Sequence, residues 1–189
     1  MRCIAVIVLA LGAGLGAAER VEIVNPGFER DADGNGIPDG WGRAIHGEGF
    51  EIAMDGDRPF EGARAVRITG LPGHGDRACV LQTTQLHQLP EAGYCLNLAV
   101  RGAGVATAIF RLKYTSPDGA ESEVTHHLTI ADVPADAWAE RAYDFPVPDE
   151  VRAVGIARAE VILYQRGEGD LFYDAVRIDK LTVPTPPAG

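Results

Sequence analysis

The polar and apolar positions of this chain alternate in short runs separated by Gly, Pro and Asp. In "ATAIFRLKY" the apolar series is Ala106, Ala108, Phe110, Leu112 and Tyr114, while Thr107, Arg111 and Lys113 fall on the other parity. In "YCLNLAVR" Leu96, Leu98 and Val100 oppose Asn97, Ala99 and Arg101. Period-two alternation means strands with one covered and one wet face. Strands are predicted over 21–24, 50–54, 63–69, 78–86, 94–101, 106–114, 123–130, 139–145, 161–165 and 171–178. Short strands joined by short loops predict an all-β fold, an antiparallel β-sandwich of the jelly-roll kind. One segment, 149–163, reads either as strand or as a short helix capped by Asp149, with Gly155 weighing against the helix.

The first 18 residues stand apart. Arg2, an apolar run from Ile4 to about Leu11 and small residues up to Ala18 have the layout of a secretory signal peptide cleaved after Ala18. The expected domain is 19–182, followed by a Pro-rich tail over 183–189, and the expected location is outside the cytoplasm, extracellular or periplasmic. The chain has 17 Lys and Arg against 27 Asp and Glu, a net charge of −10. That balance disfavours nucleic acid and anionic membrane surfaces as partners, and no apolar run after residue 18 is long enough to insert into a membrane. Cys3 lies in the leader. Cys79 and Cys95 are then an even pair, for which export permits a disulfide; two separate buried thiols are the alternative.

Four short motifs occur in order: "NPGFE" with "IPDGW" (25–41), "EGARAVRI" (61–68), "LPEAGYCLNLAVRG" (89–102) and "GEGDLFYDAVRI" (167–178). Together they resemble carbohydrate-binding modules of the family 4/9, CenC-like type, within the galactose-binding-like jelly rolls. The resemblance implies a sandwich that binds a polysaccharide or cell-surface glycan without cleaving it. It also implies a structural calcium held between Glu29, near the first strand, and Asp174 in the last.

"DADGNGIPD" places Asp31, Asp33, Asn35 and Asp39, with the Ile37 carbonyl, at the alternating positions of an EF-hand-like loop. Gly42 stands where the closing bidentate glutamate would be, so an Asp/Asn/Gly turn is the competing reading. For the glycan, the candidates on wet strand faces are Gln82, Asn97, Arg101, Arg111, Lys113, Tyr164 and Arg166; the basic side chains favour an acidic polysaccharide. Trp41 and Trp138 are expected to pack. No nucleophile elbow, HExxH, P-loop or Rossmann glycine pattern occurs, and His126 and His127 fall on opposite faces of one strand. The expectation is therefore a non-catalytic, calcium-stabilised binding module. The alternatives are an extracellular structural or adhesion protein on the same scaffold and, behind it, a polysaccharide lyase or hydrolase.

Overall fold

The computed structural model describes residues 19–74, 77–87 and 89–182, so the signal-peptide and tail assignments lie outside the described residues. The strands are β1 (Arg20–Val21), β2 (Gly42–His46), β3 (Phe50–Asp55), β4 (Ala65–Gly70), β5 (Arg77–His87), β6 (Gly93–Gly102), β7 (Val105–Thr115), β8 (Glu121–Ile130), β9 (Ala139–Phe145), β10 (Ile156–Arg166) and β11 (Gly169–Leu181). One helix, α1 (Asp149–Val154), precedes β10. Two antiparallel sheets form a sandwich. The first has the order β3-β4-β11-β6-β9 with β1 added alongside β11, and the second β2-β5-β10-β7-β8. No helix among the described residues is long and apolar enough to cross a membrane.

The alternation predicted in β6 and β7 is the alternation observed. Phe110, Leu112, Leu96, Leu98 and Val100 point into the space between the sheets and are buried there with Val80, Val161, Leu163, Leu171 and Ile178. Phe110 stacks on Phe145 at 4.8 Å and meets Tyr94 at 5.9 Å, so one aromatic cluster joins the two layers. Burying such rings contributes more than their area alone, by about 0.5–1.5 kcal/mol per well-placed pair.

Three elements differ from expectation. β2 was not predicted: Gly42–His46 is an edge strand with exposed residues at both ends and no apolar face to alternate. The segment after residue 148 begins as the helix, ended by Gly155 in the left-handed region (φ 76°). Pro148, not Asp149, occupies its N-cap, and no side chain caps it. β1 pairs over two residues only.

β11 carries an irregularity that shapes the whole first sheet. Its register against β6 shifts between Asp174 and Arg177, around Ala175 at φ 51°. Leu171 and Tyr173 face the core before the shift, and Val176 and Ile178 face it after. On one side of β11, β4 pairs as far as Tyr173 and β1 takes over at Ile178. In the interval the Val176 amide donates to the Pro26 carbonyl at 3.0 Å.

Among the described residues Cys79 and Cys95 are both free, which corrects the disulfide expectation. Ala78 and Val80 face the core, so Cys79 between them faces outward from the second sheet; Leu96 faces the core, so Cys95 faces outward from the first. Opposite outer faces of a sandwich whose sheets lie about 10 Å apart cannot be bridged.

Candidate functional site

The outer face of the second sheet is set by register. Successive rows across β2, β5, β10, β7 and β8 read His46, Arg77, Arg166 and Val105; then Ala44, Cys79, Tyr164, Thr107 and Thr129; then Gly42, Leu81, Ile162, Ile109 and His127. The next rows carry Thr83, Glu160, Arg111 and Thr125, then Gln85, Arg158, Lys113 and Glu123. Because side chains alternate, all of these stand on one surface.

Cys79, Ile109 and Ile162 are buried beneath Tyr164, Leu81 and Ala44, giving this face a small apolar floor of its own. Burial raises the Cys79 thiol above its ordinary pKa, which keeps it protonated and unreactive. Above the floor lies a depression of about 270 Å³ lined by Arg77, Arg111, Arg166, Tyr164 and His127, with Thr107, Ile109 and Thr129 completing it. The Arg77 guanidinium sits 5.6 Å from the centre of the Tyr164 ring. Towards the other end Glu160 accepts from Lys113 at 2.7 Å and from Arg111 at 3.3 Å. A second depression, about 520 Å³, opens there beside Gln85, Lys113, Glu123 and Arg158. From Arg166 to Arg158 the strand advances about 26 Å at ~3.3 Å per residue, long enough for an extended oligomer.

Of the seven ligand candidates, this face brings together Arg111, Lys113, Tyr164 and Arg166. The other three lie elsewhere. Gln82 points inward and is buried: its Oε1 accepts from the Val24 amide at 2.8 Å, and its Nε2 donates to the carbonyls of Val24 and Gly40 at 2.9 and 3.0 Å. It ties the first loop to the core and is corrected from ligand to structural residue. Asn97 and Arg101 do face outward, but from the first sheet, on the opposite side of the molecule. Asn97 Nδ2 donates to Asp179 at 2.9 Å. Arg101 is 3% exposed, with its guanidinium 3.7 Å from the Phe172 ring centre and 5.2 Å from Trp138, and it donates to the Asp57 carbonyl. Such a covered arginine holds the 57–60 and 136–138 loops against the sheet. Reading the sequence missed Arg77, Thr107, His127, Thr129 and Glu160. For Glu160 and Thr107 the signal available was parity with Tyr164 and Arg111; Arg77, His127 and Thr129 lie on strands that carry neither.

Trp41 packs as expected: its ring meets Phe28 at 4.9 Å and its Nε1 donates to the Val24 carbonyl at 3.1 Å. Trp138 does not enter the core but lies half-buried over Arg101, its Nε1 donating to the Arg58 carbonyl at 2.8 Å. His126 and His127 do part, His126 turning inward to 5.3 Å from Phe145, where burial lowers its pKa.

The acidic stretch divides into two constructions. Asp31, Asp33 and Asp39 bring one carboxylate oxygen each to within 4.8 Å of one another. The loop is wound by its own side chains. Asp31 accepts from the amides of Asn35 (3.1 Å) and Gly36 (3.0 Å), Asp39 from Ala32 (3.0 Å), and Asn35 Oδ1 from Ile37 (2.7 Å). An all-oxygen donor set of this charge fits Ca²⁺. Glu29 and Asp174, by contrast, each bind backbone amides of one loop: Glu29 takes Ala63 (3.0 Å) and Arg64 (3.3 Å), and Asp174 takes Phe60 (2.9 Å) and Glu61 (3.2 Å). Asp174 is fully buried, and that burial, opposed by the three amides it accepts from, pushes its pKa up to about 6.

No family model matches the chain, and no curated protein sequence matches it. Solved structures do. The chain is similar to a Stig cyclase from Fischerella sp. TAU in complex with (3Z)-3-(1-methyl-2-pyrrolidinylidene)-3H-indole, at 14% identity over 89% of this chain and 100% of that one, TM-score 0.62. It is similar to the enzymatically active domain of bacteriophage CBA120 tailspike protein 4, at 16% identity over 76% of this chain, TM-score 0.58, and spans 20% of that protein's length. It is similar to the carbohydrate-binding module TmCBM61 in complex with β-1,4-galactotriose, at 15% identity over 84% of this chain and 97% of that one, TM-score 0.49. At these identities what is shared is the β-sandwich.

Proposed function

We propose that this chain is an exported, non-catalytic carbohydrate-binding protein that takes a polysaccharide along the outer face of its five-stranded sheet. The observation that carries this reading is the composition of that face: Tyr164 on an apolar floor, ringed by arginines and threonines, in one of two depressions that lie along the sheet. A pyranose needs an apolar surface for its C–H face and planar donors for its hydroxyls, and this surface offers both. The family 4/9 resemblance adds to the reading, since it implies the same activity on the same architecture.

Calcium is the second part of the proposal. Asp31, Asp33 and Asp39, with Asn35 and the Ile37 carbonyl, would hold one ion and fix the first loop. A second ion at Glu29 and Asp174 would take those carboxylates over from the 60–64 amides. Calorimetric titration of chelator-stripped protein tests both: one or two equivalents of heat and a rise in melting temperature are expected, and neither heat nor shift sinks the calcium proposal.

Electrophoresis in native gels containing a neutral or an acidic polysaccharide, with calcium present, tests the main reading. Retardation that Tyr164→Ala abolishes is expected. Passage through every gel unretarded favours the structural or adhesive reading, which the low aromatic content of this face also favours, Tyr164 being the one Phe, Trp or Tyr in its outward rows among the described residues. Release of reducing ends or unsaturated products would overturn the non-catalytic assignment.

A further inference from the structure

The charges on the five-stranded face are unevenly compensated. At the end near residue 158 every cation has a carboxylate: Arg111 and Lys113 share Glu160, Arg111 also faces Glu123 at 3.8 Å, and Arg158 lies 3.9 Å from Glu121. At the other end Arg77 and Arg166 are direct cross-strand partners, with His46 next to Arg77 in the same row. Among the described residues neither arginine forms an ion pair and no acid lines the depression between them and Tyr164.

Like charges placed directly opposite on antiparallel strands, with Cβ atoms about 4.5–5.5 Å apart, oppose folding. Packing does not require the pair, since both side chains are exposed. Nor does the chain need more positive charge for solubility, because its net charge of −10 already keeps it far from neutrality. Two guanidiniums carried by directly paired positions can converge on one planar or tetrahedral oxyanion, which each can bind through paired N–H donors. Screening confines the repulsion of the distant acids to about 8 Å at physiological salt, so the local pair governs what binds.

We propose that Arg77 and Arg166 form an anion subsite at one end of the groove, holding the carboxylate or sulfate of an acidic sugar residue whose ring rests on Tyr164. The ligand class is thus an acidic polysaccharide, and the subsite rests on the glycan-binding reading of this face. It gives the groove a direction, with the acidic residue at the Arg77–Arg166 end and hydroxyl contacts towards Glu160 and Lys113.

The test compares polygalacturonate, a sulfated galactan and a neutral galactan by affinity electrophoresis and calorimetry of the intact protein. Binding to an acidic polymer that weakens with added salt is expected, and which acidic polymer is held separates carboxylate from sulfate. Arg77→Gln and Arg166→Gln should each weaken that binding about tenfold, as loss of a charge-assisted pair does, with melting temperature unchanged or raised. Arg20→Gln, the same charge change on the other sheet at Asp179, should leave binding as it was. Equal affinity for the neutral galactan, insensitive to salt and to both substitutions, overturns the anion subsite while the glycan reading stands. Binding of none of the three polymers overturns both.

Discussion

Gln82 offers a sharp test of how this sandwich is held, because by type and strand it belongs with the ligand candidates and by position it does not. In Gln82→Leu the side chain keeps its apolar bulk and loses three hydrogen bonds, of 2.8, 2.9 and 3.0 Å, leaving the Val24 amide and the carbonyls of Val24 and Gly40 without this partner. Each such bond contributes about 0.5–1.5 kcal/mol net, and an orphaned buried group costs more. Val24 is 45% exposed, so water recovers part of the loss. The expected cost is about 3 kcal/mol, or roughly 6–12 °C in Tm for a domain of this size. Urea unfolding should show the midpoint moving down at constant slope, and polysaccharide retention should persist below the new transition. A cost below about 1 kcal/mol would refute the reasoning. So would a variant with the parent midpoint that no longer binds glycan, since that would make Gln82 a ligand contact.

Three further outcomes follow. Gly62→Ala puts a methyl group 2.0 Å from Glu29 Oε1 at a φ of +65°; displacing that carboxylate from the Ala63 and Arg64 amides should lower stability by about 2 kcal/mol, read by urea unfolding, and an unchanged midpoint would mean that the Glu29 hydrogen bonds to those amides contribute nothing to stability. The folded-state pKa of Asp174 is raised from 3.8 to about 6. Its contribution to stability is therefore fully present below pH 3.8 and lost as pH rises through about 6; in chelator, Asp174→Asn should remove that slope from a pH series of unfolding curves. Finally, burial raises the Cys79 thiol, and burial with Asp144 beside it pushes Cys95 up to about 11. Both should resist alkylation at neutral pH until denaturant is added, with melting indifferent to reductant; a mass two protons lower would reveal a bridge.

The strands with clean alternation were legible because one face of each is apolar: β6, with Leu96, Leu98 and Val100, and β7, with Ala106, Ala108, Phe110 and Leu112, follow from their own residues. β2 was not, since Gly42–His46 lies at an edge with little to bury. Parity told which residues of a strand leave the core, and so placed Arg111 and Lys113 on the outer face of β7. It could not tell which sheet a strand joins, and Asn97 and Arg101 therefore fall on the other sheet, apart from Arg111 and Lys113. That choice is made by pairings between residues far apart in sequence, such as Arg101 with Phe172. Arg77 was hidden for a different reason. Its outward companions Cys79 and Leu81 are themselves apolar, so β5 looks buried on both faces until the second, smaller cluster is seen. Gln82 misled because an amide reads as a surface group unless its backbone partners, brought in by the 24–40 loop, are known.

The shift at Ala175 has a consequence for how such a chain can change over generations. β11 lies between β4 and β6 with Tyr173 facing inward before the irregularity and Val176 after it. Removing one residue there would match the two steps from Ala99 to Asn97 on β6 and restore a regular strand with Val176 and Ile178 still facing inward; adding one to the other side of the irregularity, with no second bulge to absorb it, would turn them out to water and bring Arg177 and Asp179 inward. Substitutions along β11 are graded in their effects, but its length at this point is not. The surface loops can lengthen or shorten by single residues, whereas between Asp174 and Arg177 each added residue has either to be absorbed by an irregularity of the strand or to reverse the faces of everything after it.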